Sequence, residues 1–131
     1  KRKSGRHKIL HDFYRKLIIM RKTMHPLSKS GRRSLYCSMD EDKKIFVILR
    51  YYKLKKVIMI FNLGSRKRKD LVPGKYIDPV ERKWDKVLYS AEDIWGGRDN
   101  IMKDEILLDQ AISMDGYSVA VLSNYMAGEL D

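Results

Sequence analysis

Residues 44–52 read KIFVILRYY and residues 55–63 read KKVIMIFNL, with only Lys53 and Leu54 between them. Both runs are crowded with Ile, Val, Phe and Tyr, which suit a pleated, half-buried surface. Each is strand-length, and the two-residue join predicts a hairpin. Working outward from this pair, Ser34–Met39 is a short strand candidate and Asp40-Glu41-Asp42-Lys43 a polar turn. Downstream, GSRKRKD (64–70) reads as a charged loop and Pro73-Gly74 as a turn. WDKVLYS (84–90) alternates like a strand, and IWGGRDN (94–100) is a loop with paired glycines. Glu105–Leu108 and YSVAVLS (117–123) are the closing strands, and Asp115-Gly116 turns into the second of these. The expected fold class is mainly β: an antiparallel β-sandwich, or small barrel, of six to seven strands at roughly even spacing.

One segment ahead of these strands has a different period. Leu10, Phe13, Leu17, Met20 and Met24 recur at spacings of three and four, with Ile9 and Ile18 beside them. That pattern predicts an amphipathic helix over residues 7–24, with Arg15, Lys16, Arg21 and Lys22 on its polar side. Pro26 ends it, because the residue before a proline is pushed out of the α region. The chain thus divides into an N-terminal helical segment, 1–30, and a β-sandwich domain, 31–131. The stripe needs cover: the sandwich, a second copy of the chain (a homodimer), or another domain.

Charge follows the same division. Residues 1–33 hold 12 Lys/Arg against the single acid Asp12, whereas residues 34–131 balance 16 Lys/Arg with 16 Asp/Glu. A basic surface invites nucleic acid, but here the excess is confined to the leading quarter. With 131 residues and 44% hydrophobic content the chain can bury a core without staples. The lone Cys37 allows no internal disulfide and favours a reducing compartment, so a cytoplasmic location is expected. No apolar run approaches the length of a membrane span, so no membrane partner is expected. The sequence begins at Lys1 rather than Met and reads as part of a longer polypeptide.

Groups able to carry chemistry are sparse. His7 and His11 have helical i, i+4 spacing but no third ligand beside them, so they predict no metal site; His25 falls in a loop. Cys37 is expected to be a buried, inert thiol. The carboxylate pairs Asp40/Asp42, Glu92/Asp93 and Asp104/Glu105 sit at turns or strand edges, where solvation accounts for them. No phosphate-binding glycine loop is present, and no cofactor is expected. Arg66-Lys67-Arg68-Lys69 forms a second basic cluster. Trp84 is expected in the core. Trp95 is the candidate contact residue for a sugar or a neighbouring domain, and the Tyr51-Tyr52 pair is an alternative platform for a sugar.

Four segments, in order, resemble the α-amylase superfamily, glycoside hydrolase family 13. HKILHDFYRKLIIMRKTMHPL (7–27) resembles the last barrel helix of those enzymes. VIMIFNL (57–63) is similar to the Asn-bearing strand of their C-terminal β-domain. WDKVLYSAEDIWGG (84–97) resembles a stretch of maltooligosyltrehalose trehalohydrolases and, more loosely, of glycogen branching enzymes. YSVAVL (117–122) fits the final strand of the same domain. The resemblance implies a β-sandwich that packs on a catalytic barrel of the same polypeptide. The superfamily's catalytic Asp, Glu and Asp would precede residue 1, and none maps onto this sequence. The sequence departs from the family in its lysine content and in the polar stretch 98–105.

The expected function is therefore a non-catalytic C-terminal accessory domain of an α-amylase-superfamily glycoside hydrolase acting on α-glucans, most like the trehalohydrolases. Two other functions stay open at this level: a small carbohydrate-binding module that takes α-glucan, and a basic nucleic-acid-binding domain working through residues 1–33.

Overall fold

The computed structural model describes residues 35–52, 54–77, 81–97 and 102–125. The expected helix with its face Leu10, Phe13, Leu17, Met20 and Met24 lies outside these residues, as do His7, His11 and His25. Among the described residues eight strands follow one another: β1 Leu35–Asp40, β2 Ile45–Tyr52, β3 Lys55–Asn62, β4 Arg68–Leu71, β5 Lys83–Tyr89, β6 Glu105–Leu107, β7 Ile112–Met114 and β8 Ser118–Ser123. Six make an antiparallel sheet in the order β1-β2-β3-β8-β5-β6, and β4 pairs with β7 in a second, two-stranded sheet. The fold is mainly β and antiparallel, as the sequence predicts.

The 44–63 hairpin forms as expected, in unbroken register from Ile45 opposite Asn62 to Tyr52 opposite Lys55. Period-two alternation then sorts its side chains. Ile45, Val47, Ile58 and Ile60 point to an inner face, where they meet Ala120 and Leu122 of β8 and Trp84 and Tyr89 of β5. Leu71 of β4 and Met114 of β7 close the cluster from the other layer. Burial of each Ile, Val, Leu or Met side chain here stabilises the fold by roughly 1.5–3 kcal/mol before conformational entropy is counted. Trp84 is in this core, as expected, and its indole N–H donates to the Glu81 carbonyl at 2.9 Å.

Two strands differ from expectation. Arg68–Asp70 belongs to β4 rather than to a charged loop, and β7 was not anticipated. Both are short, and each contributes one anchoring apolar residue, Leu71 or Met114, so neither shows a readable period.

Asn62 holds the two layers together. It is fully buried at the end of β3. Its amide Nδ2 donates to the carbonyls of Arg66 (2.9 Å), Met114 (3.2 Å) and Asp115 (2.9 Å), and its Oδ1 accepts from Gly64 N–H at 3.2 Å. One side chain therefore satisfies backbone groups in the 64–67 loop and in the end of β7. The β7–β8 turn packs against the same loop. Tyr117 N–H donates to the Gly64 carbonyl at 2.9 Å, and a Cβ on Gly116 would overlap the Ser65 carbonyl. Tyr117 takes φ 52°, a region that costs a non-glycine residue energy.

A second tie joins distant segments. Lys56 Nζ lies 2.9 Å from Glu81 Oε1, and Lys56 N–H donates to Asn124 Oδ1 at 2.8 Å. Burial alone would raise the Glu81 carboxyl. The hydrogen bond and positive charge of Lys56, aided by Asn124, outweigh burial and hold its pKa below the ordinary value.

Two outcomes follow. Asn62→Ala leaves several buried backbone groups without partners and is expected to lower stability by about 3 kcal/mol, read as a fall in urea midpoint at unchanged slope. Because the folded pKa of Glu81 is depressed, its contribution is present above the unfolded value of 4.5 and is lost as pH falls through the folded value. Glu81→Gln is expected to be less stable than the native chain at neutral pH, with the gap closing below 4.5 in pH-dependent unfolding.

Candidate interaction surface

The outer face of the six-stranded sheet is built from the residues that alternate with the core. β2 contributes Phe46 and Ile48, β3 contributes Met59 and Phe61, and the edge strand β1 contributes Leu35, Cys37 and Met39. The Phe46 and Phe61 rings lie 5.9 Å apart, tilted by 32°. Toward β5, this face is sealed by a small cluster of Val57, Leu88, Val121 and Tyr125, with Trp95 packed against it. Lys55 Nζ sits 4.9 Å over the Tyr125 ring. Toward β1 the face is open: Leu35 is 48% and Met39 54% exposed, and Phe46, Ile48 and Phe61 are half-buried. Arg50, on the same face, has its Nε buried without a hydrogen-bond partner among the described residues.

Cys37 corrects the expectation of a buried thiol. It is exposed, because β1 is the sheet's edge and nothing among the described residues covers its outer face.

The aromatic residues singled out from the sequence do not converge. Trp95, in a single-turn 3-10 helix at Asp93–Trp95, is half-buried against the outer-face cluster. Tyr51 shares the inner face with Val47 and Leu49 and so lies on the opposite side of the sheet from Trp95. Tyr52 is the last residue of β2, paired with Lys55. The sequence reading missed Tyr117, which is 77% exposed beside an open groove of about 370 Å³ lined by Phe61, Leu63, Ser90 and Val119. A tyrosine directly after Asp-Gly, in a tight turn, was the available signal.

Three of the paired carboxylates, Glu92, Asp104 and Glu105, have lysine partners, and Asp104 stays exposed to solvent as the sequence predicts. Glu92 pairs with Lys86, and Asp104 lies 3.4 Å from the same ammonium, which is 9% exposed. Lys86 also donates to the Met102 carbonyl at 3.3 Å. Asp40 Oδ1 accepts from Lys43 N–H at 3.1 Å and so closes the β1–β2 turn. Among the described residues, no three His, Cys, Asp or Glu side chains gather as a metal site would require, and no helix is long and apolar enough to cross a membrane.

The same β-architecture occurs in MutB. A MutB point mutant from crystals soaked with trehalulose matches at TM-score 0.59 and 11% identity, over 86% of this chain and 17% of MutB. MutB mutants in complex with the substrate sucrose and with glucose each match at TM-score 0.58 and 12% identity, with the same coverage. The fold is shared. At such identity the likeness is one of architecture, and this chain spans about 17% of the MutB length. No protein-family model matches the sequence, and no curated protein matches it.

Proposed function

We propose that this chain is a non-catalytic accessory domain of an α-amylase-superfamily enzyme, packed through its outer sheet face on a catalytic barrel of the same polypeptide. The observation that carries the reading is the open apolar area of Leu35, Met39, Phe46, Ile48 and Phe61, on a fold shared with part of MutB, an enzyme of that superfamily. A contiguous apolar patch on a sheet face marks a protein-binding surface. A carbonyl or carboxylate from the packed partner would also satisfy Arg50 Nε. The trehalohydrolase-like stretch 84–97 favours an enzyme acting on maltooligosaccharides, and in that enzyme the apolar stripe from Leu10 to Met24 would pack on the barrel. In the isolated chain the same stripe returns to this face or pairs two copies.

A second reading rests on Tyr117. An exposed aromatic ring beside an open groove offers a stacking face for a sugar, and α-glucan is the ligand that suits it.

A polypeptide carrying a barrel ahead of Lys1 is expected to turn over maltooligosaccharides, whereas the 131-residue chain alone turns over none. Phe46→Asp with Ile48→Asp in the longer polypeptide is expected to lower its inactivation temperature by several degrees. Turnover by the isolated chain, or unchanged thermal inactivation, contradicts the reading. For the second, titration with maltooligosaccharides should shift Tyr117 and its groove neighbours, and Tyr117→Ala should abolish the shift. A Tyr117→Ala chain that binds as the native one does removes Tyr117 as the platform.

A further inference from the structure

The basic run 66–69 plays no part in the reading above, yet the fold gives part of it a definite location. Arg66 and Arg68 flank a polar cavity of about 230 Å³, whose opposite wall is Asp42, Lys43 and Lys44 from the β1–β2 turn. Gly64 and Ser65 complete its lining. Four cations and one acid thus line one hollow, from the β1–β2 turn and from residues 66–68, where β4 begins.

Their pairing is uneven. Lys43 lies 3.5 Å from Asp70. Lys44, Arg66 and Arg68 meet no acidic partner among the described residues. Like charges gathered around one hollow repel each other, and an anion placed between them removes that cost.

The walls are also held in place. Asn62 fixes the Arg66 carbonyl at 2.9 Å and the Gly64 N–H at 3.2 Å. Leu63 N–H donates to the Lys44 carbonyl at 2.8 Å, which ties the lysine turn to the end of β3. Lys44 adopts φ 58°, and a Cβ at Gly64 would lie 3.6 Å from the Lys44 side chain. A non-glycine residue held in this region is a strained position that the surrounding contacts maintain. The cationic side chains therefore rise from a fixed backbone rather than from a free loop.

We propose that this cavity binds a compact phosphate-bearing anion. Arg66 and Arg68 supply planar guanidinium forks suited to phosphoryl oxygens, Lys44 a point charge, and Ser65 a hydroxyl donor. The site is distinct from the outer sheet face and from the groove beside Tyr117, since neither contributes a residue to its lining.

The probes are inorganic phosphate and tripolyphosphate, titrated into the 131-residue chain at low ionic strength and followed by amide NMR. Residue-resolved shifts separate this cavity from the basic residues 1–33. The expected result is saturable shifts at Lys44, Gly64, Ser65 and Arg66. Arg66→Gln with Arg68→Gln should weaken binding about tenfold or more, the size of losing charge-assisted hydrogen bonds. Lys75→Gln with Lys103→Gln removes the same charge elsewhere and should leave binding unchanged. Should the arginine variant fail to fold, Lys44→Asn, which tolerates the left-handed backbone, serves in its place and should also weaken binding. Shifts that never saturate, or equal losses in the arginine and control variants, overturn the site. A single-stranded oligonucleotide held by the same arginines more tightly than tripolyphosphate overturns the small-anion assignment.

Discussion

A single primary amide organises this domain. Asn62 sits where the long sheet ends and the short sheet begins, and its two polar atoms answer backbone groups from Gly64, Arg66, Met114 and Asp115. Hydrocarbon cannot do this. A leucine there would fill the volume but leave carbonyls buried without donors, which costs more than the packing returns. The turn between β7 and β8 must then lie flat against the 64–67 loop, which is why residue 116 has room only for a glycine. The position of Arg66 and the course of β7 both follow from that one residue.

The sheet gives its two faces different roles. The inner one is closed by Leu71, Ile77, Met102, Leu108 and Met114, gathered from short strands and turns. The outer one is covered toward β5 by Tyr125 and Trp95 and left open toward β1. An apolar sheet face of this kind is what the proposed contact with a barrel would cover. It accounts for an apolar Leu-Tyr-Cys-Ser-Met run on an edge strand that would otherwise be expected to carry charge.

How much of this was legible depends on the length of each element. β2, β3, β5 and β8 announce themselves by β-branched and aromatic runs, and the structure finds them within a residue or so of the expected bounds. β4 and β7 do not, because RKDL and ISM each bury one residue firmly and take their place from Asn62 and the core rather than from local preference. Cys37 looked buried because alternation gives the face of a side chain but not whether anything covers that face. Trp95 and Tyr51 are each readable as contact residues, but sequence does not say that they fall on opposite sides of the sheet. The basic run 66–69 became meaningful only when the β1–β2 turn was seen to bring Lys43 and Lys44 opposite it.

The strand order carries a consequence for how the molecule comes into being. β8, last of the described strands, lies between β3 and β5 and pairs with both. During synthesis the first three strands can assemble as a meander, but they cannot join β5 and β6 until residues 118–123 arrive. The two halves must wait apart, each with an unpaired edge, and closure comes in a single late step that depends on contacts distant in sequence. A nascent chain stopped short of Ser118 is therefore two fragments of a sheet rather than a smaller version of the domain.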